Sequence, residues 1–242
     1  MCDETADMFD RAAETIPWNE QLRMDDASYR EQIAWLFARS TFYQEKLRKA
    51  GFDTPEAVGG LEEIAKLPFT EKSGIRASCT PDNPIGTHLC VGRDELVRIY
   101  STSGTTGMPS YIPLTRRDLD NWTTTSARSY LASGVRPGET IVSTYNAGPF
   151  VAGAALGAFD KAGLCHVPVG TGNTDRLMTA IRMLKPTAAV LTPSYASYLI
   201  EWAAERNYDL KGSSVRRVLV AGEPGGGEPA MRARLEEGWA AR

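Results

Sequence analysis

Apolar positions recur at threes and fours through residues 28–50, where Ile33, Leu36, Phe37, Tyr43 and Leu47 form one stripe. Arg30, Glu31, Arg39, Glu45, Lys46 and Arg48 fill the other faces. That period predicts an amphipathic helix packed along its stripe, with Gly51 at the expected stop. A second short helix is expected over Pro55–Lys66, and a third near Thr70, a residue suited to cap the turn containing Glu71.

From Val97 onward the pattern changes to short apolar runs alternating with amphipathic stretches. Thr115-x-x-Asp118 has the form of a capping box and opens a helix to about Ser133, packed through Leu119, Trp122, Tyr130 and Leu131 and ended by Gly134. Strands are predicted at Thr140–Thr144, Leu164–Val169, Thr187–Leu191 and Val215–Ala221. Helices are predicted between and after them. Phe150–Ala162 is rich in small residues, Thr174–Lys185 is ended by Pro186, Thr192-Pro193 opens a helix through Arg206, and Glu228–Ala240 closes the series. Alternating strands and helices of this length indicate βαβ units with right-handed crossovers. The expected fold class is therefore α/β, a layered and mostly parallel sheet with flanking helices, preceded by a helical N-terminal segment. The division is placed at 1–92 and 93–242. A sheet that expects further strands would carry an open edge.

Composition narrows the class. Of 242 residues, 42% are hydrophobic and 24% charged, as in ordinary globular chains. A net charge of −3, with basic residues scattered among acids, gives no reason to expect nucleic acid. Cys2, Cys79, Cys90 and Cys165 lack metal-site spacing and are expected as thiols. Export and membrane-spanning patterns are not evident, so a cytoplasmic location is expected. His88 and His166 lie in no nucleophile motif, and neither is assigned a catalytic role.

The chemistry concentrates in Tyr100-Ser-Thr-Ser-Gly-Thr-Thr-Gly-Met-Pro-Ser110, a run of hydroxyls and glycines set between two strands. Glycines allow close backbone approach, and hydroxyls with free N–H groups suit phosphate oxygens. A Walker A loop is excluded, because Gly104 and Gly107 are too closely spaced and no Lys follows. The dinucleotide fingerprint is excluded because the run lacks a third Gly. Two further Gly-rich turns follow strands, Gly170-Thr171-Gly172-Asn173 and Gly222-Glu223-Pro224.

Ser101-Thr-Ser-Gly-Thr-Thr-Gly107-x-Pro109 resembles the phosphate loop of the adenylate-forming enzymes, and its surroundings resemble the phenylacetate–coenzyme A ligase branch. Leu67-Pro-Phe-Thr-Glu-Lys72 with Ile75-Arg76, Pro113–Leu119, Gly170–Thr174, Thr192-Pro-Ser-Tyr195 and Val220–Pro224 resemble that branch in order and spacing. The resemblance runs from about Tyr29 to the last residue. Two departures stand out. Ser110 takes the place of a Lys found in many relatives outside this branch. The family's Mg2+-binding Glu, ribose-binding Asp and catalytic Lys have no counterpart here, so the chain looks like the N-terminal half of a ligase.

The resemblance implies an enzyme that joins a carboxylic acid to ATP, forming an acyl-adenylate and pyrophosphate. Coenzyme A (CoA) then displaces AMP. ATP, Mg2+ and CoA are the implied cofactors, and an aryl, phenylacetate-like acid is the implied substrate. Ser103, Gly104, Thr105, Thr106 and Gly107 are assigned to phosphate, and Gly222, Glu223 and Pro224 to the adenine. Tyr145, Ala147, Gly148 and Phe150 are assigned to the acid pocket, with Gly153 leaving room. The alternative is a non-catalytic nucleotide- or acyl-binding module, or one half of a split ligase. A C-terminal half or a homodimer partner then becomes a candidate partner.

Overall fold

The computed structural model describes residues 8–102, 109–145 and 152–241. It contains two compact units, Ala12–Leu119 and Asp120–Arg242 with Met1–Arg11. The division falls inside a helix, later than residue 92. The first two strands pair with each other instead of entering the parallel sheet, and so stay with the helical unit.

Helices α1 (Arg11–Glu14), α2 (Trp18–Arg39), α3 (Thr41–Lys49), α4 (Pro55–Val58) and α5 (Lys72–Ala77) precede the first strand. The single helix expected over 28–50 is broken at Ser40, whose extended backbone (φ −115°) ends α2. Its hydroxyl accepts from the Tyr43 amide at 3.3 Å and starts α3. Serine is a favoured cap residue, and here that preference overrides the continuous apolar period. Gly51 does turn left-handed (φ +91°), as its stop role requires.

The helix expected at 55–66 is also divided. Gly59 (φ +83°) separates α4 from a 3-10 turn over Leu61–Lys66. Thr70 caps nothing; its hydroxyl accepts from Lys46 Nζ at 2.8 Å, and α5 begins after Glu71. Asp26 of α2 ties this region together, receiving the Leu61 amide at 2.6 Å and Arg30 Nε at 2.7 Å.

Strands β1 (Leu96–Ser101) and β2 (Tyr111–Thr115) form an antiparallel pair. The capping box that follows is complete. The Thr115 amide donates to Asp118 Oδ2 at 2.9 Å, and the Asp118 amide donates to Thr115 Oγ1 at 3.2 Å, opening α6 (Arg116–Ala132).

The second unit is built on a four-stranded parallel sheet in the order β4-β3-β5-β6. Its strands are β3 (Thr140–Ser143), β4 (Cys165–Pro168), β5 (Ala188–Leu191) and β6 (Arg217–Val220). Helices α7 (Ala152–Lys161), α8 (Thr174–Leu184), α9 (Pro193–Glu205) and α10 (Pro229–Trp239) alternate with them. The agreement with the predicted series is close because each strand ends at a turn residue or a cap.

Alternation along β5 explains why both faces are covered. Ala188 and Val190 belong to a core with Ala127 and Leu131 of α6 and Leu156 and Phe159 of α7. Ala189 and Leu191 belong to the opposite core, with Leu177 and Ile181 of α8, Leu199 and Trp202 of α9, and Leu235 and Trp239 of α10. Burying each large aliphatic side chain contributes about 1.5–3 kcal/mol. A strand buried on both sides reads as a continuous apolar run, which is why Thr187–Leu191 shows no alternation in sequence.

The chain passes from β3 outward to β4, then crosses back to pair β5 on the other side of β3. The connections leave the carboxyl ends of β3 and β5 in opposite directions. Such a reversal opens a crevice at the carboxyl edge, the usual ligand position in open α/β sheets.

Candidate functional site

Three neighbouring strands deliver their ends to this crevice. Tyr145 follows β3, Thr192 and Ser194 follow β5, and Gly222, Glu223 and Pro224 follow β6. The strands are in register, with Leu191 opposite Val220, and the Ala221 amide donates to the Leu191 carbonyl at 3.2 Å. Tyr145 Oη donates to that same carbonyl at 3.3 Å. Burial pushes the Tyr145 phenol up, a backbone hydrogen bond with Ala221 opposes this, and the Glu223 charge adds to the rise. The Tyr145 ring is thereby held with its hydroxyl between the ends of β5 and β6.

Gly222 is left-handed (φ +91°), a conformation that L side chains rarely adopt. Its missing Cβ would face Thr192 Cγ2 at 3.7 Å and Tyr145 Oη at 3.9 Å. The turn therefore presents bare backbone beside a tyrosine, an arrangement suited to a flat ligand. Glu223 reaches across to α9, where its Oε2 accepts from the Ser194 amide at 3.2 Å and from Ser194 Oγ at 2.5 Å. The Ser194 hydroxyl, first among several contacts, holds the Glu223 carboxyl below the usual range.

A cavity of about 520 Å3 runs along the edge strand β6 between α6 and α10, lined by Arg217–Ala221, Tyr130, Arg232 and Leu235, with Tyr145 and Gly226 among its other walls. That volume lies within the range of small-molecule sites. Tyr130 stacks on Phe159 with ring centroids 4.6 Å apart, and burial, then the neighbouring Tyr145, pushes its phenol up to about 12. Tyr130 thus contributes a stacked ring and Tyr145 a hydroxyl bonded to the end of β5.

The structure brings together Tyr145, Gly222, Glu223 and Pro224 from the expected set. Ala147, Gly148 and Phe150 lie outside the described residues, as do Ser103, Gly104, Thr105, Thr106 and Gly107. The flanks of the latter run are described. The Thr102 amide donates to the Ser110 carbonyl at 3.0 Å, and the Ser110 amide donates to Thr102 Oγ1 at 3.0 Å. Thr102 thus serves the backbone itself. Ser110 is buried, and its hydroxyl receives Arg76 Nε at 3.4 Å. Gly170–Asn173 serves α8, since Asn173 Oδ1 accepts the Arg176 amide at 2.8 Å.

Sequence reasoning missed Thr192 and Ser194 as site residues. The available signal was the Thr-Pro cap directly after a buried strand, which fixes these hydroxyls at the carboxyl edge. Among the described residues, Cys79, Cys90 and Cys165 are free thiols and no group of three or more potential metal ligands is found. Glu223 Oε2 is bonded to Ser194, and among the described residues no second acid stands with it in a ligand group for Mg2+. No helix among the described residues is long and apolar enough to cross a membrane.

The open parallel α/β sheet, with a glycine turn and a tyrosine meeting at its carboxyl edge, defines an α/β protein with the cleft in which such sheets bind ligands. Residues 35–239 match the AMP-binding enzyme family, and the chain belongs to it. It is 32% identical over 232 residues to the phenylacetate-coenzyme A ligase of Thermus thermophilus, covering 96% of this chain and 50% of that protein. It is 34% identical over 198 residues to the phenylacetate-coenzyme A ligase of Escherichia coli, covering 80% of this chain and 43% of that protein. Among solved structures, 2-hydroxyisobutyryl-CoA ligase in complex with 2-HIB-AMP and CoA superposes with a TM-score of 0.86 at 26% identity. That match covers 94% of this chain and 50% of the other. The chain thus spans about half the length of the curated relatives it matches.

Proposed function

We propose that this chain supplies nucleotide- and acid-binding elements of an AMP-forming ligase, which activates an aryl, phenylacetate-like acid with ATP and transfers it to CoA. The observation that carries this reading is the meeting of Tyr145 with the bare Gly222 turn at the carboxyl edge of β3, β5 and β6. In this reading Gly222, Glu223 and Pro224 flank the adenine. Ser103, Gly104, Thr105, Thr106 and Gly107 offer donors to the phosphates, while Tyr145, Ala147, Gly148 and Phe150 surround the acid. Both steps build negative charge on phosphoryl or carbonyl oxygens. Fixed N–H and hydroxyl donors stabilise such charge without reorganising.

The resemblance to 2-hydroxyisobutyryl-CoA ligase favours a second acid class, small and hydroxylated. The test uses the longest polypeptide that carries this segment, supplied with ATP, Mg2+, CoA and either phenylacetate or 2-hydroxyisobutyrate. Acid-dependent AMP and acyl-CoA with phenylacetate support the first reading; a preference for the hydroxy acid supports the second. Absence of acid-dependent AMP in both arms overturns ligase activity and leaves a binding module. A split ligase predicts activity only after mixing with a separately expressed C-terminal half.

A further inference from the structure

The turn after β6 is fastened to α9 at two points. Glu223 Oε2 takes both the amide and the hydroxyl of Ser194, at 3.2 and 2.5 Å. Further along, a Cβ on Gly226 would lie 3.3 Å from Pro193 Cγ and 3.1 Å from Val220 Cγ2, so the far end of the turn also rests on the start of α9.

The first turn of a helix leaves amides without partners. Here Thr192 Oγ1 accepts from the Tyr195 amide at 3.4 Å, and Glu223 accepts from the Ser194 amide next to it. A carboxylate is favoured at this end of a helix by both charge and hydrogen bonding. Thr192 Oγ1 lies 3.5 Å from Ser194 Oγ, which itself donates to Glu223, so one cluster of oxygens joins the ends of β5 and β6.

We propose that Glu223 is a positioning residue. Its carboxylate, fixed by Ser194, holds the backbone of Gly222–Pro224 against the end of β5 and thereby sets the affinity for the adenine nucleotide. Resting on the nucleotide reading above, the inference gives the Glu223 side chain a task separate from ligand contact. The backbone faces the ligand while the side chain faces α9.

Calorimetric titration of AMP into the longest polypeptide that carries this segment tests it, with Glu223→Ala, Glu223→Gln, Ser194→Ala and the double alanine variant alongside. Glu223→Ala is expected to weaken AMP binding about tenfold, the effect of losing roughly one well-made interaction. Glu223→Gln keeps an acceptor for the Ser194 amide and should recover most of the loss. The double variant should bind no more weakly than Glu223→Ala, because both substitutions remove one shared contact. A purely structural role predicts loss in proportion to a fall in melting midpoint and no rescue by Gln. Equal AMP affinity for Glu223→Ala and the unsubstituted chain overturns the proposal, as do losses that simply multiply in the double variant. Should Glu223→Ala fail to fold, Glu223→Gln and Ser194→Ala decide by the same criteria. No AMP binding by the unsubstituted chain overturns the nucleotide reading itself, and the proposal with it.

Discussion

Trp239 Nε1 donates to the Ala196 carbonyl at 3.1 Å, joining the last turn of α10 to the first turn of α9 beneath the site. The indole is fully buried, so it contributes packing as well as a hydrogen bond. Trp239→Ala should therefore destabilise the chain by about 3–5 kcal/mol. Trp239→Phe, which keeps most of the volume and loses the donor, should cost about 1–2 kcal/mol. Urea unfolding measures both, and a negligible cost for Trp239→Phe would show that the hydrogen bond contributes nothing.

The reciprocal cap between Thr115 and Asp118 gives a second expectation. Thr115→Ala and Asp118→Ala should each cost about 1 kcal/mol, as lost helix caps do. The double variant should cost less than the sum, since each residue serves the other. Simple additivity in a double-mutant cycle would contradict the paired geometry.

Gly238 lies where α10 meets α9. A Cβ there would stand 2.2 Å from Ile200 Cδ1 and 2.6 Å from its Cγ1. Alanine is ordinarily the better helix residue, by about 1 kcal/mol. The crowding should outweigh that gain, leaving Gly238→Ala about 1–3 kcal/mol less stable. Ile200→Ala should then cost less in the Gly238→Ala background than in the unsubstituted chain. A stabilised single variant would mean that the helices separate freely.

Ser143 Oγ and His166 Nε2 lie 2.8 Å apart across β3 and β4. Burial lowers the His166 pKa, only partly countered by Asp160, and burial likewise lowers that of His88. The fold thus favours the neutral rings. Their contribution is complete above the unfolded value, about 6.5, and is lost as pH falls from there toward the folded value. The urea midpoint should drop between pH 7 and pH 5.5, and His166→Gln should make that drop shallower. A drop of unchanged size would assign the effect elsewhere.

The second unit was legible in sequence because local signals and burial agree there. Thr192-Pro193 both caps α9 and terminates β5, and Asn173 caps α8 after a glycine turn. The N-terminal helices were less legible. The apolar stripe of residues 28–50 runs through Ser40 without interruption, so the period concealed a break that a single hydroxyl makes. Within the site, glycine and proline marked the turn at Gly222–Pro224, while its attachment to Ser194 was invisible. The two residues lie 29 positions apart and meet only because β5 and β6 are adjacent. Long-range carboxylate contacts of this kind leave no trace in local periodicity.

The reversal of strand order beside β3 has a consequence for how this scaffold diversifies. The gap between diverging loops comes from connectivity, so it persists whichever side chains border it. Substitutions along the rim can exchange one guest for another while the buried layers on either side of the sheet stay untouched. Selectivity and foldedness are thereby assigned to different sets of atoms, and each can drift without forfeiting the other.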